Sequence, residues 1–108
     1  MAPRRARVHA PVFAALGDET RLSLVAQLCG GSPRSISQLT ESSDITRQAI
    51  TKHLRVLEGA GLVRSVRDGR QSLFELAPEP LDAAKRYLDA VSAQWDQALA
   101  RLKSFVED

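Results

Sequence analysis

The sequence predicts a mainly α-helical fold with one small β-hairpin, and three observations predict it. Apolar residues recur at helical spacing through most of the chain. One stretch, Leu62 to Leu76, reads instead as two short strands broken at Asp68-Gly69. After Pro80 a three-and-four apolar repeat runs on almost to the end, longer than a small domain needs for its own core.

The chain has 108 residues, one domain's worth, with 44% hydrophobic and 26% charged residues. No apolar run approaches the ~18 residues that span a bilayer, and the opening residues lack the apolar segment of a signal peptide. A cytoplasmic protein with no membrane partner is therefore expected. The single cysteine, Cys29, excludes an internal disulfide framework. Net charge is only +2, but its distribution is uneven. Six Lys or Arg stand against three acids between Asp44 and Gln71, whereas four stand against seven between Glu75 and Asp108. Phosphate is drawn to the middle of the chain and repelled from its end.

Residues 1–9 form a basic tail with three arginines and no acid. It is either a frayed terminus or an arm that touches phosphates or a minor groove. The domain proper spans 10–108. Pro11 to Leu16 is a short apolar helical segment closed by Gly17, and Asp18 caps the next helix, where Leu22, Val25, Leu28 and Cys29 face the core. Gly30-Gly31 stops it, Arg34-Ser35 suits a very short strand, and a further helix places Ile36 and Leu39 inward. Ser42-Ser43-Asp44 turns the chain, with Asp44 tolerant of a left-handed backbone. Thr46 then caps a helix running to about Glu58, with Ala49, Ile50, Leu54 and Leu57 as its buried stripe. Leu62 to Arg67 and Ser72 to Leu76 are the strands, joined through the positive backbone dihedrals of Asp68-Gly69.

The terminal helix, about 80–106, carries Leu81, Ala84, Leu88, Val91, Trp95, Ala98, Leu102 and Phe105 in register. An apolar stripe of this length is uncommon on a monomer, which points to a homodimer seam through Leu81, Leu88, Val91, Trp95, Leu102 and Phe105. Trp95 could also line a small pocket there.

The helix from Thr46 carries the chemistry. Arg47, Gln48, Thr51, Lys52 and Arg55 fall opposite or beside its buried stripe. Arg and Lys donate to guanine, Gln bonds adenine bidentately, and Thr bonds base edges or touches a thymine methyl. Thr46 is placed to bond a phosphate. His53 either reaches phosphate or packs at the boundary with the hairpin. Arg64, Arg67 and Arg70 near the hairpin tip suit backbone or minor-groove contact, although charges also protect edge strands. A short helix, a turn, a reader helix and a basic hairpin together make a winged helix-turn-helix that binds double-stranded DNA.

Four segments carry a resemblance: Ala15-Leu16-Gly17-Asp18-Glu19-Thr20-Arg21-Leu22, Ile45 to Leu57 (ITRQAITKHLRVL), Ala60-Gly61-Leu62-Val63 and Asp68-Gly69-Arg70. In these the chain, from about Val12 to Phe105, resembles the ArsR/SmtB family of bacterial winged-helix repressors. The resemblance implies a dimer on a pseudo-palindromic operator, released by an inducer, with the base-reading helix at Thr46 to Arg55 and the wing at Arg64 to Gln71. Glu19 stands where the family often has proline, and Asp44 where glycine is frequent. The segment matching the metal-sensing members' thiolate motif, Gln38 to Ser43, has no cysteine, and the terminal helix has no histidine.

Read from the residues alone, a zinc site needs three or four converging ligands, and Cys29, His9 and His53 lie far apart in sequence. Cys29 beside Leu28 reads as a small buried hydrophobe. No metal site, cofactor or catalytic residue is expected: there is no phosphate loop, nucleophile elbow or spaced Cys/His cluster. The expected function is a homodimeric repressor answering a non-metal or unknown small-molecule signal. The alternatives are a winged-helix module that binds a protein, or a metal-responsive repressor with an unrecognised site.

Overall fold

The computed structural model describes residues 4–107. Five helices and three strands occur in the order α1 (Arg4–Leu16), α2 (Glu19–Leu28), β1 (Arg34–Ser35), α3 (Ile36–Glu41), α4 (Arg47–Gly59), β2 (Val63–Asp68), β3 (Gln71–Leu76) and α5 (Pro78–Glu107). This is a mostly helical domain with a small three-stranded antiparallel sheet of order β1-β3-β2. One core joins Val12 and Ala15 of α1, Leu24, Val25 and Leu28 of α2, Leu39 of α3, Ile50, Leu54 and Leu57 of α4, Leu62, Val63 and Phe74 of the sheet region, and Ala84 of α5.

Local signals fix most boundaries. Asp18 caps α2 by accepting from Arg21 N at 3.0 Å. Ser35 and Gln38 form a reciprocal capping box at α3, at 3.2 and 2.9 Å. Thr46 caps α4 by accepting from Ala49 N at 3.1 Å. At the far end of α4, Gly61 adopts φ +79°, Gly61 N donates to Glu58 O and Leu62 N to Leu57 O, both at 2.9 Å. That is the paired-bond stop a left-handed glycine permits, sealed by the contact of two fully buried leucines. It sends the chain directly from α4 into the β2–β3 hairpin.

Several sequence expectations are corrected. Helix α1 begins at Arg4, not Pro11, so the described part of the basic tail is helical; residues 1–3 lie outside the described residues. Arg and Ala are strong helix formers, and the added turns gain contacts: the His9 ring stacks on Tyr87 at 4.6 Å and the Arg5 guanidinium lies 5.9 Å from the same ring. Leu22 and Cys29, seven residues apart, lie together on the exposed side of α2, whose core stripe is Leu24, Val25 and Leu28. Neither Asp44 nor Asp68 has positive φ; the hairpin turns through Gly69-Arg70, with only Gly69 left-handed (φ +64°).

Helix α5 has 30 residues, about 45 Å of helix. Only its first turns join the core. The Cα radius of gyration is 17.8 Å, against about 13 Å for a compact chain of ~100 residues, because the rest of α5 projects from the body.

Candidate nucleic-acid interface

The buried stripe of α4 fixes which residues remain outside. Ile50, Leu54 and Leu57 are sealed in the core. The 3.6-residue period then gathers Arg47, Gln48, Thr51, Lys52 and Arg55 around one shallow, open depression. Two of these side chains are held by local bonds. Arg47 Nη1 donates to Ser37 Oγ of α3 at 3.1 Å, which steadies the guanidinium at the start of the helix. Thr51 Oγ1 donates to Arg47 O at 2.8 Å. Its hydroxyl proton is thereby used, and it keeps an acceptor lone pair and a methyl for any partner. The Thr46 hydroxyl accepts from Ala49 N as a cap and keeps its own proton to donate.

The wing is placed by register. Val63, Ser65 and Arg67 share the face that looks toward α4, because strand side chains alternate and Ser65, Ser72 and Phe74 line a hollow with Thr51, Arg55 and Glu58. Ser65 Oγ donates to Glu58 Oε2 at 3.2 Å and ties the strand to the reader helix. Arg70, at the turn, lines a second hollow with Arg47 and Ser37. The exposed cations of helix and wing thus form one continuous surface.

Two expected contact residues sit differently. Arg64 lies at the base of the wing, opposite Glu75, and its Nε donates to Glu75 Oε1 at 2.9 Å. The pair offsets the charge that a phosphate contact would need. His53 turns inward: Arg21 Nη1 stands 3.2 Å from His53 Nδ1, and Asp18 Oδ2 stands 3.8 Å from the same nitrogen. By contrast, among the described residues none of Arg47, Lys52, Arg55, Arg67 and Arg70 pairs with a carboxylate. Sequence reasoning missed Arg21, whose Nε also donates to Ala15 O. Its segment was visible, but not its long-range partner. The Asp18 carboxyl is held below its usual range chiefly because it accepts from the Arg21 backbone N–H; burial opposes the shift, and the nearby Arg21 guanidinium adds to it.

On α5 the expected seam residues divide. Leu81 packs against the chain's own core. Val91 is half-buried beside Arg5, Tyr87 and Gln94, over a shallow groove between α1 and α5. Leu88, Trp95, Leu102 and Phe105 are exposed, at 47%, 63%, 62% and 84%, and Leu99 and Val106 widen the stripe. Among the described residues no group of three or more His, Cys, Asp or Glu could hold a metal ion, and no helix is long and apolar enough to cross a membrane.

Known proteins carry the same arrangement. The family described as "Helix-turn-helix domain" matches residues 16–66. An uncharacterised HTH-type transcriptional regulator of Bacillus subtilis (strain 168), YuzN, is 42% identical over 76 residues, covering 65% of this chain and 83% of the relative. An ArsR-like transcriptional regulator from Rhodococcus sp. RHA1 superposes with a TM-score of 0.74 and 39% identity over 92% of both chains. The solution structure of the homodimeric winged helix-turn-helix DNA-binding domain of Mb0332 from Mycobacterium bovis, a possible ArsR-family regulator, superposes at 0.65 with 25% identity, covering 90% of this chain and 89% of that one. With its capped reader helix, basic wing and long terminal helix, the chain belongs to the ArsR/SmtB family of winged helix-turn-helix transcriptional regulators, which are not enzymes.

Proposed function

We propose that the chain is a cytoplasmic homodimeric repressor that places two α4 helices in successive major grooves of a pseudo-palindromic operator, about one DNA turn (~34 Å) apart. The observation that carries this reading is the cluster of five cations on α4 and the wing left without a carboxylate partner. Phosphate neutralises such a surface and supplies most of the affinity. Gln48 bonds a base edge and Thr51 presents its methyl to one, both in the first turns of the exposed face, with Arg47 and Lys52 beside them. Arg67 and Arg70 grip the flanking backbone, and Arg55 completes the same face. Thr46 bonds a phosphate through its free hydroxyl proton. Arg64 supports the wing from its base.

The dimer forms where Leu88, Trp95, Leu102 and Phe105 leave α5 apolar and uncovered, with half-buried Val91 beside them. The homodimeric Mycobacterium bovis relative supports this reading. Release from DNA answers a non-metal or unknown signal: the segment from Gln38 to Ser43 carries no cysteine and α5 no histidine.

Selection of bound duplexes from a random pool tests the proposal. A recovered motif with two inverted half-sites about ten base pairs apart is the expected result. A pool that stays random while the chain captures acidic proteins would replace the reading with a protein-binding module.

A further inference from the structure

The apolar stripe of α4 sets which face of the helix meets the body, but burial is non-directional and leaves the last few degrees of rotation about the helix axis to other contacts. A directional contact lies beside it. One guanidinium, Arg21, donates through Nε to the Ala15 carbonyl in the last turn of α1, and its Nη1 stands 3.2 Å from His53 Nδ1 on α4. Asp18 keeps that guanidinium company, while its own carboxylate accepts from Arg21 N. Three helices therefore meet at one side chain, and the meeting point on α4 is one residue from Lys52 and two from both Thr51 and Arg55.

We infer that Arg21 and His53 are positioning residues for DNA recognition: the Arg21 fork sets the rotation of the reader helix against α1 by bonding His53 Nδ1. This rests on the operator-binding reading above. The chemistry fixes the imidazole's state. A guanidinium carries donors only, so Nδ1 must be the acceptor and the ring proton resides on Nε2. His53 thus acts from behind the exposed face rather than as a phosphate contact. Lysine in place of Arg21 would have to reach both acceptors from a single nitrogen, whereas the planar fork presents a separate nitrogen to each.

Two substitutions separate positioning from phosphate contact. Asparagine sets its amide oxygen near the place of Nδ1, whereas glutamine reaches the place of Nε2. With the operator selected by the unaltered chain, His53→Gln should weaken binding roughly tenfold, as the share of protein with a competent helix orientation falls. His53→Asn should restore affinity to within about threefold. Restoration by Gln and not by Asn would make His53 a phosphate contact and overturn the inference, as would two variants that bind like the parent. Nitrogen-15 shifts of the His53 ring in the intact free protein give an answer that needs neither variant folding nor DNA. The Nε2–H tautomer supports the fork, and Nδ1–H overturns it. If the unaltered chain selects no duplex, the repressor reading fails, and the ring tautomer still decides whether the junction exists.

Discussion

The α3–α4–wing region and the outer half of α5 differ in what they leave unfinished. In the first, every apolar side chain at the α4 core face is covered, the helix ends are capped within the chain, and what remains open is charge. In the second, what remains open is oil: Trp95, Leu99, Leu102, Phe105 and Val106 are each at least 62% exposed along one side of the helix. Unpaired cations on a rigid surface are stable in water and wait for an anion. A continuous apolar stripe is not stable there and calls for another apolar face. The two regions therefore call for different partners, which under the proposed function are a polyanion for the first and a copy of the same helix for the second.

Breaking the apolar side should have the largest effect. Trp95→Glu removes about 1.5–3 kcal/mol of burial from each protomer of a dimer and adds a charge to the seam. The dimer dissociation constant should rise by at least about 100-fold in sedimentation equilibrium, and operator affinity should fall with it. The folded body of each protomer should keep its far-ultraviolet circular dichroism. A variant that stays dimeric would move the seam elsewhere.

The core under the reader helix comes next. Leu54 is 1% exposed and packs among residues of α1, α2 and the sheet. Leu54→Ala should cost about 2–5 kcal/mol of unfolding free energy in urea titration. An effect confined to DNA binding, with stability unchanged, would contradict the packing described above.

On the charged side, effects should be smaller and of two kinds. Gln48→Ala should lower discrimination at one operator position by ~1–3 kcal/mol. Thr51→Val, which keeps the methyl and loses a hydroxyl already bonded to Arg47 O, should leave preference almost intact. Arg67→Ala and Arg70→Ala should weaken all sequences alike and reduce the salt slope by about 1 each. Competition binding against base-substituted duplexes at several salt concentrations separates the two kinds. A sequence-selective loss at Arg70 would make the wing a reader of bases.

Much of this was legible in the sequence because it was local. Caps at Asp18 and Thr46 act within three residues, and the α4 stripe and α5 repeat follow from helical period alone. The misread features depend on distant partners. The ring of Tyr87, some 80 residues on, helps order the start of α1. Arg64 is neutralised by a cross-strand Glu75, which the register decides, and His53 is claimed by Arg21 on another helix. Cys29 was assigned to the core because it follows Leu28, but the stripe of α2 is centred one step away. At Cys29 the local helical phase decides; in the other cases the residue type suits the expected role and a long-range contact decides otherwise.

The smallest expected effect tests how far the Asp18 junction contributes to stability. The Asp18 carboxyl titrates below its ordinary range in the folded protein, chiefly because it accepts from Arg21 N. An unfolded aspartate titrates near ~3.9. A folded value below the unfolded one means that the stabilisation is complete above the unfolded value. It is lost as pH falls through the folded one. Asparagine caps a helix about as well as aspartate, so Asp18→Asn removes the charge and keeps the cap. The parent should therefore be slightly more stable than Asp18→Asn in urea unfolding at neutral pH. The gap should close as the pH is lowered from about 4 toward about 2, where both side chains are neutral. A gap that persists unchanged in acid would show that the carboxylate's charge contributes nothing to the junction and that shape alone holds α2 in place.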